Sequence, residues 1–180
     1  MFVAAAPPVR HKQPPRRKRR GGTAQSQKKC QATDFDRAER FRHPLHLALV
    51  DVDNFKQLND TKGHSAGDAA LTVIADTIRH NIRTSDIAAR LGGDEFVIIF
   101  VEEPEADTYH SAQRLKEALD DMARRHAWPL GFSIGVVTSN GNGRLDQQEM
   151  IHRADQLMYE AKRTGKGRIV MAPLRTPLSA

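Results

Sequence analysis

The chain has 180 residues, a single cysteine (Cys30) and a formal net charge of +6. That length suits one domain with an extension and leaves ample material for a core, while one cysteine excludes an internal disulfide and points to a reducing, cytoplasmic setting. No apolar run approaches the ~20 residues of a membrane helix, and the apolar start Met1–Ala6 is too short for a signal segment.

The charge is unevenly placed. Nine of the 28 Lys and Arg residues fall in residues 1–30, which hold no acid, so the remainder carries 19 bases against 22 acids. Residues 1–30 also contain Pro7-Pro8, Pro14-Pro15, the run Arg16–Arg20 and Gly21-Gly22. Such a segment cannot bury enough apolar surface to offset its ordering entropy and is read as a disordered basic extension, with the folded domain at 31–175. A nucleic-acid or anionic-surface arm is one use for it, and a solvated extension without function is the alternative. The net-acidic domain and the lack of aromatic residues between the tail cations argue against nucleic acid as a partner.

Leu47–Val52 is an apolar run of strand length. Asp51 interrupts it near its C-terminal end, which places a carboxylate beside the sheet edge, partly buried and in need of a partner. A short helix is predicted over Phe55–Asp60, with Asp53 either its cap or a metal ligand. A longer helix over Ala66–Asn81 carries Leu71, Ile74, Ala75 and Ile78 on one stripe. Ile87–Leu91 and Phe96–Val101 then read as the two strands of a hairpin broken by Gly92-Gly93. Its tip carries Asp94 and Glu95, an expensive pair unless a cation neutralises them, and its glycines allow a bulky anion to approach the backbone. A helix over Ala106–His126, a strand over Leu130–Thr138, a helix over Gln147–Arg163 and a strand over Arg168–Met171 complete the chain. This order gives an α+β sheet flanked by helices. If strand 47–52 lies next to the hairpin, Asp51, Asp94 and Glu95 converge on an all-oxygen site. Such a site selects Mg²⁺ or Mn²⁺ over zinc and suits attack on a nucleoside triphosphate.

These residues are joined by further blocks in a definite order. Asp51-Val52-Asp53-Asn54-Phe55-Lys56 is followed by Asn59-Asp60, Gly63-His64, Gly67-Asp68-Ala69-Ala70-Leu71 and Gly92–Phe96. Ser133-Ile134-Gly135-Val136, Ala154-Asp155, Tyr159-Glu160-Ala161-Lys162 and Gly165-Lys166 come after them. Over roughly residues 40–171 the chain resembles the GGDEF domain of diguanylate cyclases, which join two GTP molecules into cyclic di-GMP. The resemblance implies a central five-stranded, partly antiparallel sheet like the palm of nucleotide cyclases and polymerases. It also implies a homodimer in which two GTP-loaded sites face each other.

Residue by residue, the resemblance implies a Mg²⁺ site made of the Asp51 carboxylate, the Val52 carbonyl and Glu95, with Asp94 adjoining as the group that accepts the 3′-hydroxyl proton. Asn59 and Asp68 resemble the guanine readers, and such pairing rejects adenine by leaving buried polar groups unsatisfied. His64 either lines that pocket or is a structural hydrogen bonder. Phe55, Lys56, Gly92 and Gly93 belong to the implied GTP-binding set. Lys162 and Lys166, read as one helical turn apart, would offer two cations to the triphosphate; the family usually has Arg at the Lys166 position. Arg83-Thr84-Ser85-Asp86 matches the RxxD site at which cyclic di-GMP arrests many members, with Arg114 as a second arginine. The local alternative is a turn-forming Asp beside a surface Arg. A non-catalytic GTP- or cyclic di-GMP-binding module is the second functional reading.

One family block is missing: the Asp-x-Leu-Thr-Gly-Leu-x-Asn-Arg segment expected upstream of Asp51. Its absence and the abrupt charge boundary lead to the expectation that residues 1–30 are a misframed or truncated stretch and that the chain is a poorly dimerising, weak cyclase.

Overall fold

The computed structural model describes residues 43–140 and 146–174, so the expectations for residues 1–30 lie outside the described residues. The elements run β1 (Leu45–Asp53), α1 (Phe55–Lys62), α2 (His64–Asn81), β2 (Ile87–Gly92), β3 (Glu95–Val101), α3 (Glu105–Arg125), β4 (Gly131–Thr138), α4 (Gln147–Arg163) and β5 (Ile169–Pro173). Every predicted element is present, with boundaries moved by a few residues. β1 starts at Leu45 because Leu45 pairs with Val101 and His46 with Phe100. His46 breaks the apolar run in the sequence, yet it is fully buried. Its Nε2 donates to the Glu103 carbonyl at 2.7 Å and its Nδ1 accepts from Ser139 N at 3.2 Å.

The five strands form one sheet in the order β2-β3-β1-β4-β5. All neighbours are antiparallel except β4 and β5, which are parallel. β1 is therefore the middle strand, and Asp51 lies at the end of the centre of the sheet rather than beside an edge.

Alternation along the strands sorts the core into two layers. Ala48, Val50 and Val52 of β1 join Phe96, Ile98 and Phe100 of β3 under α2 and α3, which contribute Leu71, Ile74, Ile78, Leu115 and Leu119. Leu45, Leu47 and Leu49 with Val97 and Ile99 face the other way, against Met150, Ala154, Leu157 and Met158 of α4. Each fully buried leucine contributes about 2 kcal/mol through the surface it removes from water. The same alternation has a consequence for polar residues. Asp51 and Asp53 have the parity of Leu47 and Leu49, and Glu95 has that of Val97, so all three acids fall on the α4 side.

Candidate functional site

The acids meet α4 at its last turn. β1 and β3 are in register with Asp51 opposite Glu95, and Val52 N donates to the Asp94 carbonyl at 3.2 Å, which fastens the hairpin tip to the end of β1. Lys162 reaches over from α4 and places Nζ 2.6 Å from Asp51 Oδ2. An open cavity of about 630 Å³ lies here, lined among others by Asp51, Val52, Phe55, Asp94, Lys162 and Lys166. Lys56 also lines it.

The electrostatics are those of crowded acids. Burial pushes the Asp51 carboxyl above its ordinary range, Lys162 offsets part of that, and Asp94 and Asp53 push it further up. Glu95 is raised by partial desolvation first and then by the negative charges of Asp51 and Asp94. Groups that raise one another in this way are stabilised by an added cation. The donors are carboxylates without Cys or His, so in chemistry they fit a hard divalent ion. Among the described residues no group of three or more His, Cys, Asp or Glu side chains is gathered at one point, and the Asp51 carboxylate is paired with Lys162, as a buried acid takes the nearest counter-charge.

Other predicted residues are placed as follows. Asn59 is half-buried on α1, while His64 and Asp68 are exposed on α2; none of the three lines the cavity beside Asp51. Asn59 and the start of α2 are brought close by Gly67, where a Cβ would stand 2.0 Å from Asn59 Oδ1. A side chain at Gly92, by contrast, would meet nothing within 4 Å, so packing does not demand that glycine and the backbone there is open to a ligand. Lys166 is not on the helix one turn beyond Lys162. α4 ends at Arg163, and Lys166 has a φ of 58° in the following turn, closed by Lys166 N donating to the Ala161 carbonyl at 3.0 Å. Its Nζ lies 3.4 Å from Asn54 Oδ1. Asp53 does not cap α1, whose N-cap is Asn54. It is buried and accepts from Ser133 Oγ at 2.8 Å and Gly167 N at 3.0 Å.

The RxxD residues gather at the open end of the same hairpin. Asp86 Oδ2 accepts from Arg83 N at 2.8 Å and Oδ1 from Val101 N at 3.3 Å, the turn-forming role that local chemistry allows. Burial raises its carboxyl, and these two N–H donors pull it back down. The Arg83 side chain turns elsewhere, to Glu103 Oε1 at 2.9 Å. Ser111 Oγ donates to that same oxygen at 2.8 Å and accepts from Arg114 at 3.1 Å.

Comparison with known proteins decides the family. The profile described as "Diguanylate cyclase, GGDEF domain" matches residues 28–168. The chain belongs to the GGDEF diguanylate cyclase domain family. The diguanylate cyclase DosC of Escherichia coli K12 is 35% identical over 134 residues, 73% of this chain and 29% of DosC. The chain thus spans about 29% of the length of that relative. The active GGEEF domain of a diguanylate cyclase from Vibrio cholerae superposes with a TM-score of 0.67 at 30% identity, covering 80% of this chain and 91% of that one. The GGDEF domain of DgcB from Caulobacter crescentus, solved in complex with c-di-GMP, gives 0.68 at 27% identity, covering 79% and 88%. The five-stranded mixed sheet with its helices is the palm-like GGDEF fold.

Three features of this GGDEF domain were not legible in its sequence. Arg90 Nε donates to the Gly93 carbonyl at 2.8 Å and pins the turn of the GGDEF hairpin; an Arg before a Gly-Gly turn carries no local sign of that bond. Asp53 ties β1 to β4 and to the turn after α4, a link across 114 residues of chain. Glu103 is 1% exposed, although it sits in an acidic Glu102-Glu103-Pro104-Glu105 stretch that reads as the solvated start of a helix.

Proposed function

We propose that the domain is a diguanylate cyclase acting as a homodimer on two molecules of GTP. The 3′-hydroxyl oxygen of each GTP attacks the α-phosphorus of the other. Two phosphodiester bonds form, two diphosphates leave, and each hydroxyl proton is accepted by a carboxylate. Asp94 is the acceptor in this reading. Asn59 and Asp68 read guanine, with His64 beside them, and the open backbone at Gly92-Gly93 lets the triphosphate approach. Lys162 and Lys166 neutralise the phosphates. Mg²⁺ or Mn²⁺, held by Asp51, the Val52 carbonyl and Glu95, would supply charge for the triphosphate and acidify the hydroxyl. Lys162, which pairs with Asp51, would then be able to turn to the phosphates. Cyclic di-GMP binds back at Arg83, Asp86 and Arg114 and arrests turnover.

The observation that carries this reading is the register of Asp51 against Glu95 beneath a lysine that also lines the cavity. Acids and cations share one open site there, as a metal–triphosphate complex requires. A second reading, a non-catalytic binding module, draws on the engagement of Asp51 by Lys162. Incubating the full chain with GTP and Mg²⁺ and chromatographing the nucleotides separates the two. Cyclic di-GMP and diphosphate are the expected products, and unreacted GTP with retained nucleotide binding supports the module.

A further inference from the structure

Glu103 is buried with one carboxylate oxygen left over. Among the described residues, its Oε2 is buried without a hydrogen-bond partner. Both of its donors, Arg83 and Ser111, converge on Oε1. A buried acid with one oxygen orphaned is held in place by its cation, and removing that cation leaves an uncompensated charge. The cation here is Arg83, whose side chain is half exposed, so the guanidinium faces Glu103 on one side and solvent on the other. Arg114 is tied to the same carboxylate through Ser111. One internal anion therefore holds Arg83 directly and Arg114 through the Ser111 hydroxyl.

We propose that Glu103 is a resident counter-anion that competes with the phosphates of the cyclic dinucleotide for Arg83 and Arg114 and so sets the threshold for product inhibition. This rests on the reading of the RxxD residues as a cyclic di-GMP site. Arg83 drawn to a phosphate abandons a buried acid, and Arg83 kept on Glu103 presents a half-neutralised charge to the ligand. In both cases the carboxylate lowers affinity, and it also repels the incoming phosphates directly. Two anions that draw on the one guanidinium of Arg83 cannot both be fully satisfied. The consequence for regulation is that inhibition sets in only at a product concentration high enough to displace an internal competitor.

Calorimetric titration of cyclic di-GMP into the full chain tests this, comparing wild type with Glu103→Gln and Arg83→Ala. Glu103→Gln keeps the shape and a carbonyl for Ser111 and Arg83 but removes the charge; affinity is expected to tighten about tenfold. A residue that merely supports the fold would leave affinity unchanged or weaken it, so the direction of change is diagnostic. Glu103→Thr, which also removes the charge and leaves room for water, gives the same sign and serves if the Gln variant does not fold. Unchanged or weaker binding in the charge-removed variants, with Arg83→Ala still weakening binding, overturns the competition and leaves the site intact. Unaltered binding in Arg83→Ala overturns the site reading and the proposal with it.

Discussion

The two ends of the β2–β3 hairpin solve the same electrostatic problem in opposite ways. At the tip, buried Asp51 is held by Lys162 at 2.6 Å; at the open end, buried Glu103 is held by Arg83 at 2.9 Å. β3 spans seven residues between them, roughly 20 Å at strand rise. The difference lies in what surrounds each pair. At the tip more acids crowd in, with Asp94 and Asp51 raising Glu95, so the local excess is negative. At the open end a second arginine joins through Ser111, and the two arginines stand against two acids, Glu103 and Asp86. In the function proposed, a nucleotide that brought a divalent cation to the tip would offer Asp51 a counter-charge other than Lys162. A cyclic dinucleotide at the open end would bring no cation and would have to draw Arg83 from a resident acid.

The sharpest way to break this comparison is at the tip. Asp94→Ala and Glu95→Ala are each expected to lower cyclic di-GMP formation by ~10²–10⁴, measured as initial rate at saturating GTP and Mg²⁺. The fold should persist, because the tip is at the surface and Gly92 and Gly93 have open space around them. Turnover near wild type in both variants would sink the acid-pair mechanism. At the other end, Arg83→Ala is expected to weaken cyclic di-GMP binding by about 10–100-fold, the loss of a charge-assisted pair, and to weaken GTP binding much less. Equal losses for both nucleotides would mean that the two ends are not separate sites.

A smaller effect tests whether Asp53 belongs to the tip's ligand set or to the scaffold. Asp53→Ala leaves Ser133 Oγ and Gly167 N without the oxygen they share, a loss of about 1–3 kcal/mol in urea unfolding. Unchanged stability together with altered Mg²⁺ dependence would return Asp53 to the ligands.

The smallest effect concerns His46, whose backbone partner is Glu103. Ser139 N donates to Nδ1, so the ring is neutral with its proton on Nε2, and burial lowers its pKa below the ordinary 6.5. The unfolded chain then binds the proton first. Stability is full above about pH 6.5 and falls as pH drops below it, levelling off once the folded ring also titrates. Asp51, Asp86 and Glu95 are raised and act with the opposite sign, losing stability as pH rises from their ordinary carboxylate range. Comparing wild type with His46→Gln by thermal unfolding between about pH 7 and pH 5 isolates the histidine, as a loss of stability toward acid that the wild type shows more steeply than the variant. Parallel profiles would show that His46 titrates normally.

Much of the fold could be read from the chain because it rests on local periodicity. The stripe Leu71, Ile74 and Ile78 and the run Phe96–Val101 each mark an element without reference to any other. β1 was read too short because a polar His46 breaks its run, and only the Glu103 carbonyl and Ser139 N, supplied by distant segments, make that residue an acceptable core member. Spacing and residue type suffice for the elements and the family, and both were legible along the chain. Which cation each buried acid holds was decided by the tertiary structure alone. Strand parity put Asp51 and Asp53 on the α4 side, chain reversal after Arg163 took Lys166 off the helix, and the β3–α3 junction buried Glu103 against Arg83. Charges pair with what is nearest in space, and nearness between residues as far apart along the chain as Arg83 and Glu103, or Asp51 and Lys162, is a property of the packed sheet.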